Sequence, residues 1–544
     1  MIDEKYGVVY TPSALADFVT ELLLKIIEAD GMLETIYKAI DPACGAGSLL
    51  YALKNKFGNK IEYIGMDIDA EATTAISEEF SIYNNDSIIP EETTLQTAEY
   101  WKHKLGDIQL LIANPPWSSE KIYSKTELAK AGFELINGQY DSYILFIELG
   151  FRIIQENGYL AFIIPDSLFD AQNEQLRRFL ATFTQIKAIA RLGEKIFDNV
   201  NRATTIVICK NVIPQGNEMT VCFRLNTSDR KQFLNNEHPL MFFFEKDKHN
   251  VLQSRFLAND ACNFDIDTRA VEETLIRKIK SHSTDINNLF QFGRGIEISK
   301  TGEVTICDVC GKAQGYTKGQ LEQKKKKCVF CDSNTLVTEE TIENIISLKP
   351  KNNFMPIIVG EDLHRYKCEC HSFVKDNVPG INYKNSALYI PPKLLIRKTG
   401  LGIYAAIDCS QLKTSQTVYI LKYVKADNPE PLEYYLALLN SRVIYYYYLK
   451  VYGENEWKSH PYLTKQIIFS FPLAKYIGND TDKCIVNLAS MLSHNYNKNL
   501  DVELEMLIMD KYDLTERERR MIISEMNSLP DLSSINDMKI KDDC

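Results

Sequence analysis

The chain has 544 residues, 45% hydrophobic and 25% charged, with a formal net charge of −11. That length exceeds one domain and suits two or three, each able to bury its own core; the acidic balance excludes a uniformly basic nucleic-acid coat but not a single basic face. The absence of a long unbroken apolar run argues against a membrane span, and Met1-Ile2-Asp3-Glu4-Lys5 lacks the basic opening and apolar core of a signal peptide, so the expected location is cytoplasmic, with no membrane partner.

In Gly7-Val8-Val9-Tyr10-Thr11-Pro12 and the residues after it, apolar positions recur at helical spacing, so Thr11 is expected as the cap of a helix with Pro12 at its first position. Ile40-Asp41-Pro42-Ala43-Cys44-Gly45-Ala46-Gly47 then reads as a strand tip ending in an acid, followed by a loop of small residues that lets backbone approach a bound molecule. The next strand, Ile61 to Asp69, ends in another acid about twenty residues on, where a doubly wound nucleotide fold puts its ribose-binding carboxylate; Asp67 is the choice and Asp69 the alternative. Asp86, in Asn84-Asn85-Asp86-Ser87, fits either an Asx turn or a contact to an adenine amino group at a third strand end.

Leu110-Leu111-Ile112-Ala113 is a short apolar run that reads as a buried strand, and its carboxyl edge carries Asn114-Pro115-Pro116-Trp117. The Asn114 side-chain oxygen and the Pro115 carbonyl are two acceptors held close together, which suits one NH2 group. Trp117 offers a flat apolar face, worth about 1–3 kcal/mol to a stacked nucleobase. Taken alone the tetrapeptide also fits a plain turn. Beyond it come a buried helix around Tyr143 to Phe151, a strand at Gly158 to Pro165, and two more strands, Ala188 to Phe197 and Ala203 to Lys210, bracketing Asp198-Asn199-Val200-Asn201-Arg202. Alternation of this kind predicts a mostly parallel, doubly wound sheet.

The order Tyr-Thr-Pro, Asp-Pro-Ala-Cys-Gly-x-Gly, Gly-x-Asp-Ile-Asp, Asn-Pro-Pro-Trp and a late Phe resembles the gamma class of S-adenosylmethionine-dependent DNA adenine-N6 methyltransferases, the TaqI type, over residues 1 to about 215. The resemblance implies that Thr11, Asp41 and the Gly45/Gly47 loop with Ala43 lie along the methionine part of the cofactor. It implies Asp67 on the ribose, Asp86 on the adenine amino group and Phe146 near the cofactor adenine. Asn114, Pro115, Pro116 and Trp117 would form the catalytic segment, with Trp117 and Phe197 holding a flipped-out target base. Trp117 stands where Tyr or Phe is commoner, which bears on pocket fit rather than chemistry.

Residues 216–290 give few functional signals and read as a connecting region, with a strand at Pro239 to Phe244. Cys307-x-x-Cys310 and Cys328-x-x-Cys331 stand seventeen residues apart, the spacing of a closed four-thiolate zinc ribbon near 305–335, beside the run Lys324 to Lys327. From Ile381 to Ser470 there are eleven Lys and Arg against six Asp and Glu, so the acidic chain carries a basic region. Phe292 to Ile296, Gly360 to Tyr366, Lys393 to Gly400 and Leu438 to Arg442 resemble the target-recognition domain of the same enzymes, expected over 291–480, with Arg294, Arg397 and Lys398 as candidate DNA contacts. Tyr445 to Tyr448 reads as a packing element, and 481–544 as a helical region.

The expected architecture is therefore α/β: a Rossmann-like doubly wound methyltransferase sheet over 1–215, then a mixed α+β DNA-recognition region containing a zinc ribbon. The expected function is site-specific methylation of adenine N6 in double-stranded DNA from S-adenosylmethionine, with structural zinc. No nuclease motif is visible, so a separate restriction endonuclease or defence-system subunit is the expected partner. The alternatives are a methyltransferase acting on RNA or protein glutamine, and a catalytically silent DNA-recognition subunit.

Overall fold

A computed structural model describes residues 11–540 apart from 92, 118–122, 137–140, 198–201, 300, 426, 453–461, 530–531 and 534. Gly7 to Tyr10 and Asp198 to Asn201 thus lie outside the described residues. The chain forms two compact units, 1–273 with 450–459, and 274–449 with 460–544. Among the described residues, no helix is long and apolar enough to cross a membrane.

The first unit is built on one sheet. Its strands are β1 (Lys38–Asp41), β2 (Glu62–Asp67), β3 (Ser81–Asn84), β4 (Leu110–Ala113), β5 (Tyr159–Pro165), β6 (Gln185–Gly193), β7 (Thr204–Lys210), β8 (Met219–Arg224) and β9 (His249–Leu252), in the order β3-β2-β1-β4-β5-β7-β6-β8-β9. From β3 to β5 all neighbours run parallel, with β1 central, Asp41 opposite Gly65 of β2 and Ile40 opposite Leu111 of β4. Beyond β5 the sheet is mixed: β7 is antiparallel to β5 and β6, β8 runs parallel to β6, and β9 closes antiparallel. Strands β4 and β5 are buried along their whole length, as their continuous apolar runs require when helices cover both faces. Helix α1 (Ser13–Ala29) turns Leu15, Phe18, Val19, Leu22 and Leu23 inward, and α2 (Ser48–Phe57) buries Leu49, Leu50 and Leu53.

Three expectations change here. Pro12, not Thr11, is the cap of α1: its carbonyl accepts from Leu15 and Ala16, leaving Thr11 one residue outside the helix. The stretch expected as a connector supplies β8 and β9 to the sheet, and the first compact unit runs to residue 273. Pro239 to Phe244, read as a strand, is instead the start of the helix Leu240–Asp247. Leu240, Phe243 and Phe244 are its buried positions, an i, i+3, i+4 pattern that a short apolar run hides.

The second unit holds an antiparallel four-stranded sheet in the order Phe290–Arg294, Val418–Tyr423, Lys393–Arg397, Ala405–Asp408. A second four-stranded sheet runs through Phe354–Ile358, and a small ribbon occupies 303–344. Tyr445 to Tyr448 are buried. The C-terminal helices belong to this unit rather than to a separate region, and a buried ionic knot ties them in. Asp501 and Glu505 lie one turn apart on the helix Lys498–Lys511. Arg365 grips Asp501 with both terminal nitrogens at 2.8 and 2.9 Å, and Arg442 reaches Asp501 at 2.8 Å and Glu505 at 3.2 Å. Burial works against the Asp501 charge, and the two guanidiniums outweigh it, holding the carboxyl below its usual range. Asp501→Ala leaves two buried cations short of a partner and is expected to cost about 3–5 kcal/mol, read by urea unfolding; a loss within error of zero would show that the knot contributes nothing.

Candidate active site

Three parallel strands end their carboxyl edges side by side, and each hands over one polar side chain. Asp41 at the tip of β1 is 1% exposed, and its carboxylate accepts the Ala43 N–H at 3.0 Å. Asp67 at the tip of β2 accepts the Gly45 N–H at 2.7 Å and the Asp69 N–H at 2.9 Å, so it fastens the small-residue loop to the neighbouring strand. Gly45 and Gly47 both adopt positive φ, +47° and +80°, which turns the chain from β1 into α2 close under the strand tips. Burial, with Asp67 nearby, pushes the Asp41 carboxyl up to about 8, and burial raises Asp67 too.

These side chains line one cavity of about 220 Å³. Of the residues singled out in the sequence, Thr11, Asp41, Ala43, Gly45, Asp67 and Asp86 border it, as do Asn114, Pro116 and Phe146. Gly47 does not; it sits one step back as the cap of α2. Among the described residues that line the cavity there are three carboxylates and no Lys, Arg or His. Its chemistry suits a ligand that is cationic in part and apolar in part.

Asp86 forms the Asx turn and also borders the cavity. One oxygen accepts the N–H groups of Ile88 and Ile89 in an Asx turn, while the other accepts the Tyr123 hydroxyl at 2.6 Å on the cavity wall. Asn114 follows β4 and donates its Nδ2 to the Thr11 hydroxyl at 3.0 Å. That contact turns the Asn114 oxygen away from Thr11. The following carbonyls are held as well: Ser142 donates to Pro116 O at 2.5 Å and Arg202 to Trp117 O at 2.8 Å, but among the described residues no donor reaches Pro115 O.

Trp117 departs from expectation. Its indole is 9% exposed, its N–H points to Ile163 O at 3.4 Å, and it meets Phe197 edge to face at 5.2 Å. Neither ring lines the cavity. The flat apolar face expected for stacking is met here by a mutual edge contact, which satisfies the apolar surface of both rings without a ligand. Tyr123, Ser142 and Arg202 were missed by sequence reasoning, since each acts through a partner 26 or more residues away.

In the second unit the four cysteine sulfurs lie within 4.8 Å of one another, with Cys307 to Cys331 and Cys310 to Cys328 each at 3.7 Å. A tetrahedron with metal–sulfur bonds of about 2.3 Å has edges of about 3.8 Å, so the spacing matches a four-thiolate ion and is far from a disulfide. Of the adjoining lysines, Lys326 donates to Gly315 O and Lys327 pairs with Asp332 at 3.0 Å. Arg294 is exposed at a strand end; Lys398 shares its side of the sheet, lying 6.0 Å from the Tyr419 ring, while Lys465 stands 5.7 Å from Phe292. Among the described residues no carboxylate forms a salt bridge with these three cations. Arg397 points elsewhere, to Thr399 O at 2.6 Å and the Tyr404 ring.

Strand order, glycine loop and cavity together define a methyltransferase-like α/β domain. Residues 6–197 match the Eco57I restriction-modification methylase family, and residues 355–473 match the TaqI-like C-terminal specificity domain. The chain is homologous to methyltransferases of Type II and Type I restriction-modification systems. The Type II methyltransferase M.BanIII of Aneurinibacillus aneurinilyticus is 29% identical over 35% of this chain and 36% of its own length. M.VspI of Vibrio sp. strain 343 is 25% identical over 41% of this chain and 53% of its own. The chain thus spans between about a third and about a half of the length of these curated relatives. The Type IIL restriction-modification enzyme MmeI, solved in complex with DNA, shares the fold over 93% of this chain and 74% of that one, with a TM-score of 0.51 at 11% identity.

The raised Asp41 carboxyl has a consequence for stability. The folded chain binds a proton there between the ordinary value of 3.8 and about 8, where the unfolded chain does not. Its contribution is therefore complete below about pH 4 and lost as pH rises towards about 8. Asp41→Asn is expected to flatten the fall in melting temperature between about pH 5 and about pH 9 relative to wild type; identical slopes for the two proteins would contradict the assignment.

Proposed function

We propose that this chain transfers a methyl group from S-adenosylmethionine to N6 of adenine within a specific sequence of double-stranded DNA. The observation that carries the reading is Asn114: an amide at the end of a central parallel strand, beside a cavity whose carboxylates and apolar walls suit a cationic nucleoside. Asp41, with Thr11, Ala43 and the Gly45 loop, would hold the methionine end, Asp67 the ribose, and Asp86 with Phe146 the adenine. When bound, the cofactor supplies a methyl group on a sulfonium, an electrophile that needs no further activation.

The protein's own part is to bind and orient the amine. An adenine N6 lone pair is delocalised into the ring and is a poor nucleophile. The Asn114 oxygen and the Pro115 carbonyl accept its two hydrogens and favour the pyramidal nitrogen that attacks, an interaction stronger in the transition state than before it. The Thr11 contact supports this use of Asn114, because it occupies the amide's donor end. A base in duplex DNA reaches the segment only after flipping, at a cost of a few kcal/mol. Trp117 and Phe197, which meet edge to face, are the side chains proposed to receive the flipped ring. Arg294 and Lys398, joined by Lys465, are the proposed contacts to DNA phosphates; the turn of Arg397 into its own loop favours it less. A separate restriction or defence partner is the proposed context.

Tritium transfer from labelled S-adenosylmethionine to unmethylated duplex DNA, compared with RNA and with protein, tests the acceptor. Asn114→Ala is expected to keep cofactor affinity by calorimetry while kcat falls about 100–1,000-fold, the usual size for one preorganised hydrogen-bond partner. A variant with the wild-type rate would refute the role of Asn114, and label in RNA or protein alone would refute DNA.

Cys307, Cys310, Cys328 and Cys331 are further proposed to hold one structural zinc. Four thiolates leave no open position, so the ion would fold the ribbon and take no part in chemistry. Metal analysis is expected to give one zinc per chain, and Cys328→Ser to lose it and weaken DNA binding with cofactor affinity unchanged; a metal-free chain that binds DNA normally would end the proposal.

A further inference from the structure

We propose that Arg202 is a positioning residue for methyl transfer: its guanidinium fastens the Trp117 carbonyl to Asp141 and so sets where the Asn114 to Trp117 segment stands relative to Phe197. The inference rests on the reading of that segment as the amine-binding end of the site.

Arg202 lies five residues after Phe197 and two before β7 begins at Thr204. One terminal nitrogen donates to Trp117 O at 2.8 Å and the other pairs with Asp141 at 2.6 Å. A single planar fork therefore joins three separate parts of the first unit: the β6–β7 connection that carries Phe197, the end of β4, and the entry to the helix Tyr143–Ile153. Bonds of this kind, with one partner ionised, are shorter and about twice as strong as neutral ones. The Asp141 side chain is 13% exposed and that of Arg202 36%, so the pair is partly shielded from water.

Asp141 is held from behind as well, accepting the Ser167 hydroxyl just past β5 at 3.4 Å. The adjoining Ser142 repeats the pattern by donating to Pro116 O. Two side chains from one short stretch, one directly and one through Arg202, thus fix two successive carbonyls of the catalytic segment. They leave the Pro115 carbonyl, the proposed acceptor for the amine, without a protein donor among the described residues. The division fits positioning: the carbonyls that must stay still are tied, and the one that must meet substrate is not. Lysine cannot replace this fork, because one ammonium is a point charge and does not present two parallel donors in a fixed plane.

The test compares Arg202→Ala, Arg202→Lys, Asp141→Asn and the Arg202→Ala/Asp141→Asn double variant with the wild-type full chain. Tritium transfer from S-adenosylmethionine gives kcat and KM, and calorimetry with S-adenosylhomocysteine gives cofactor-site affinity and serves as the control for folding. Arg202→Ala is expected to lose about 10–100-fold in kcat, the size of an ångström-scale misplacement, with S-adenosylhomocysteine affinity unchanged. Arg202→Lys should recover part of that loss. Asp141→Asn should lose less than Arg202→Ala, and the double variant no more, because the two side chains act as one unit. Wild-type kcat in Arg202→Ala overturns the proposal, as does a loss matched by S-adenosylhomocysteine affinity, which is the mark of a merely structural brace. Made on whichever acceptor the wild-type chain labels, the comparison keeps the fate of Arg202 separate from that of DNA as substrate.

Discussion

The parallel register of β1 with its neighbours β2 and β4 is the constraint on which the rest depends. Parallel strands end on the same edge, so the residues that follow them face one space whatever their distance in sequence. Asp41, Asp67 and Asn114 come together for that reason, with Thr11 closing over them from outside α1. The cost is electrostatic: the buried Asp41 and the half-buried Asp67 lie near each other, with no cation among the described residues lining the cavity. Burial raises both towards their neutral forms. A ligand bringing positive charge relieves this strain, which is a physical reason for such a cavity to prefer a sulfonium bearing an amino-acid tail.

Around that edge the chain spends its polar side chains on holding backbone. Asp67 takes the Gly45 N–H, Asp86 organises its own turn and takes the Tyr123 hydroxyl, and Ser142 and Arg202 take successive carbonyls after Asn114. Such a distribution suits a site that positions reactants, where a misplacement of about an ångström can cost about 100-fold in rate. The second unit shows another economy. Its matched specificity segment begins at residue 355, so the ribbon at 303–344 lies outside both matched families and adds its own cysteine cluster to the hydrophobic core that Val304 and Ala313 share with Ile357 and Val374.

Much of the site was legible because its signals are local. Asp41 before small residues, Asp67 one strand later, and Asn114 at the end of an apolar run each declare themselves within a few positions, and the cysteine spacing does the same for the ribbon. What failed was direction and distance. Residue type says that Trp117 carries a flat ring, not that the ring turns its edge to Phe197. Pro12 after it suggests Thr11 as a cap, whereas its hydroxyl accepts from Asn114, 103 residues away. Pro239 to Phe244 shows the ambiguity of a short apolar run, which burial at helical spacing resolved only in three dimensions.

The proposed function turns on adenine owning the amine that Asn114 and the Pro115 carbonyl would hold. Unmethylated duplex DNA incubated with the chain and S-adenosylmethionine carrying a deuterated methyl group, then digested to nucleosides and weighed by mass spectrometry, addresses it directly. Adenine as the acceptor puts the heavy methyl on N6-methyldeoxyadenosine alone. Heavy methyl on deoxycytidine, or none in the DNA at all, would contradict it.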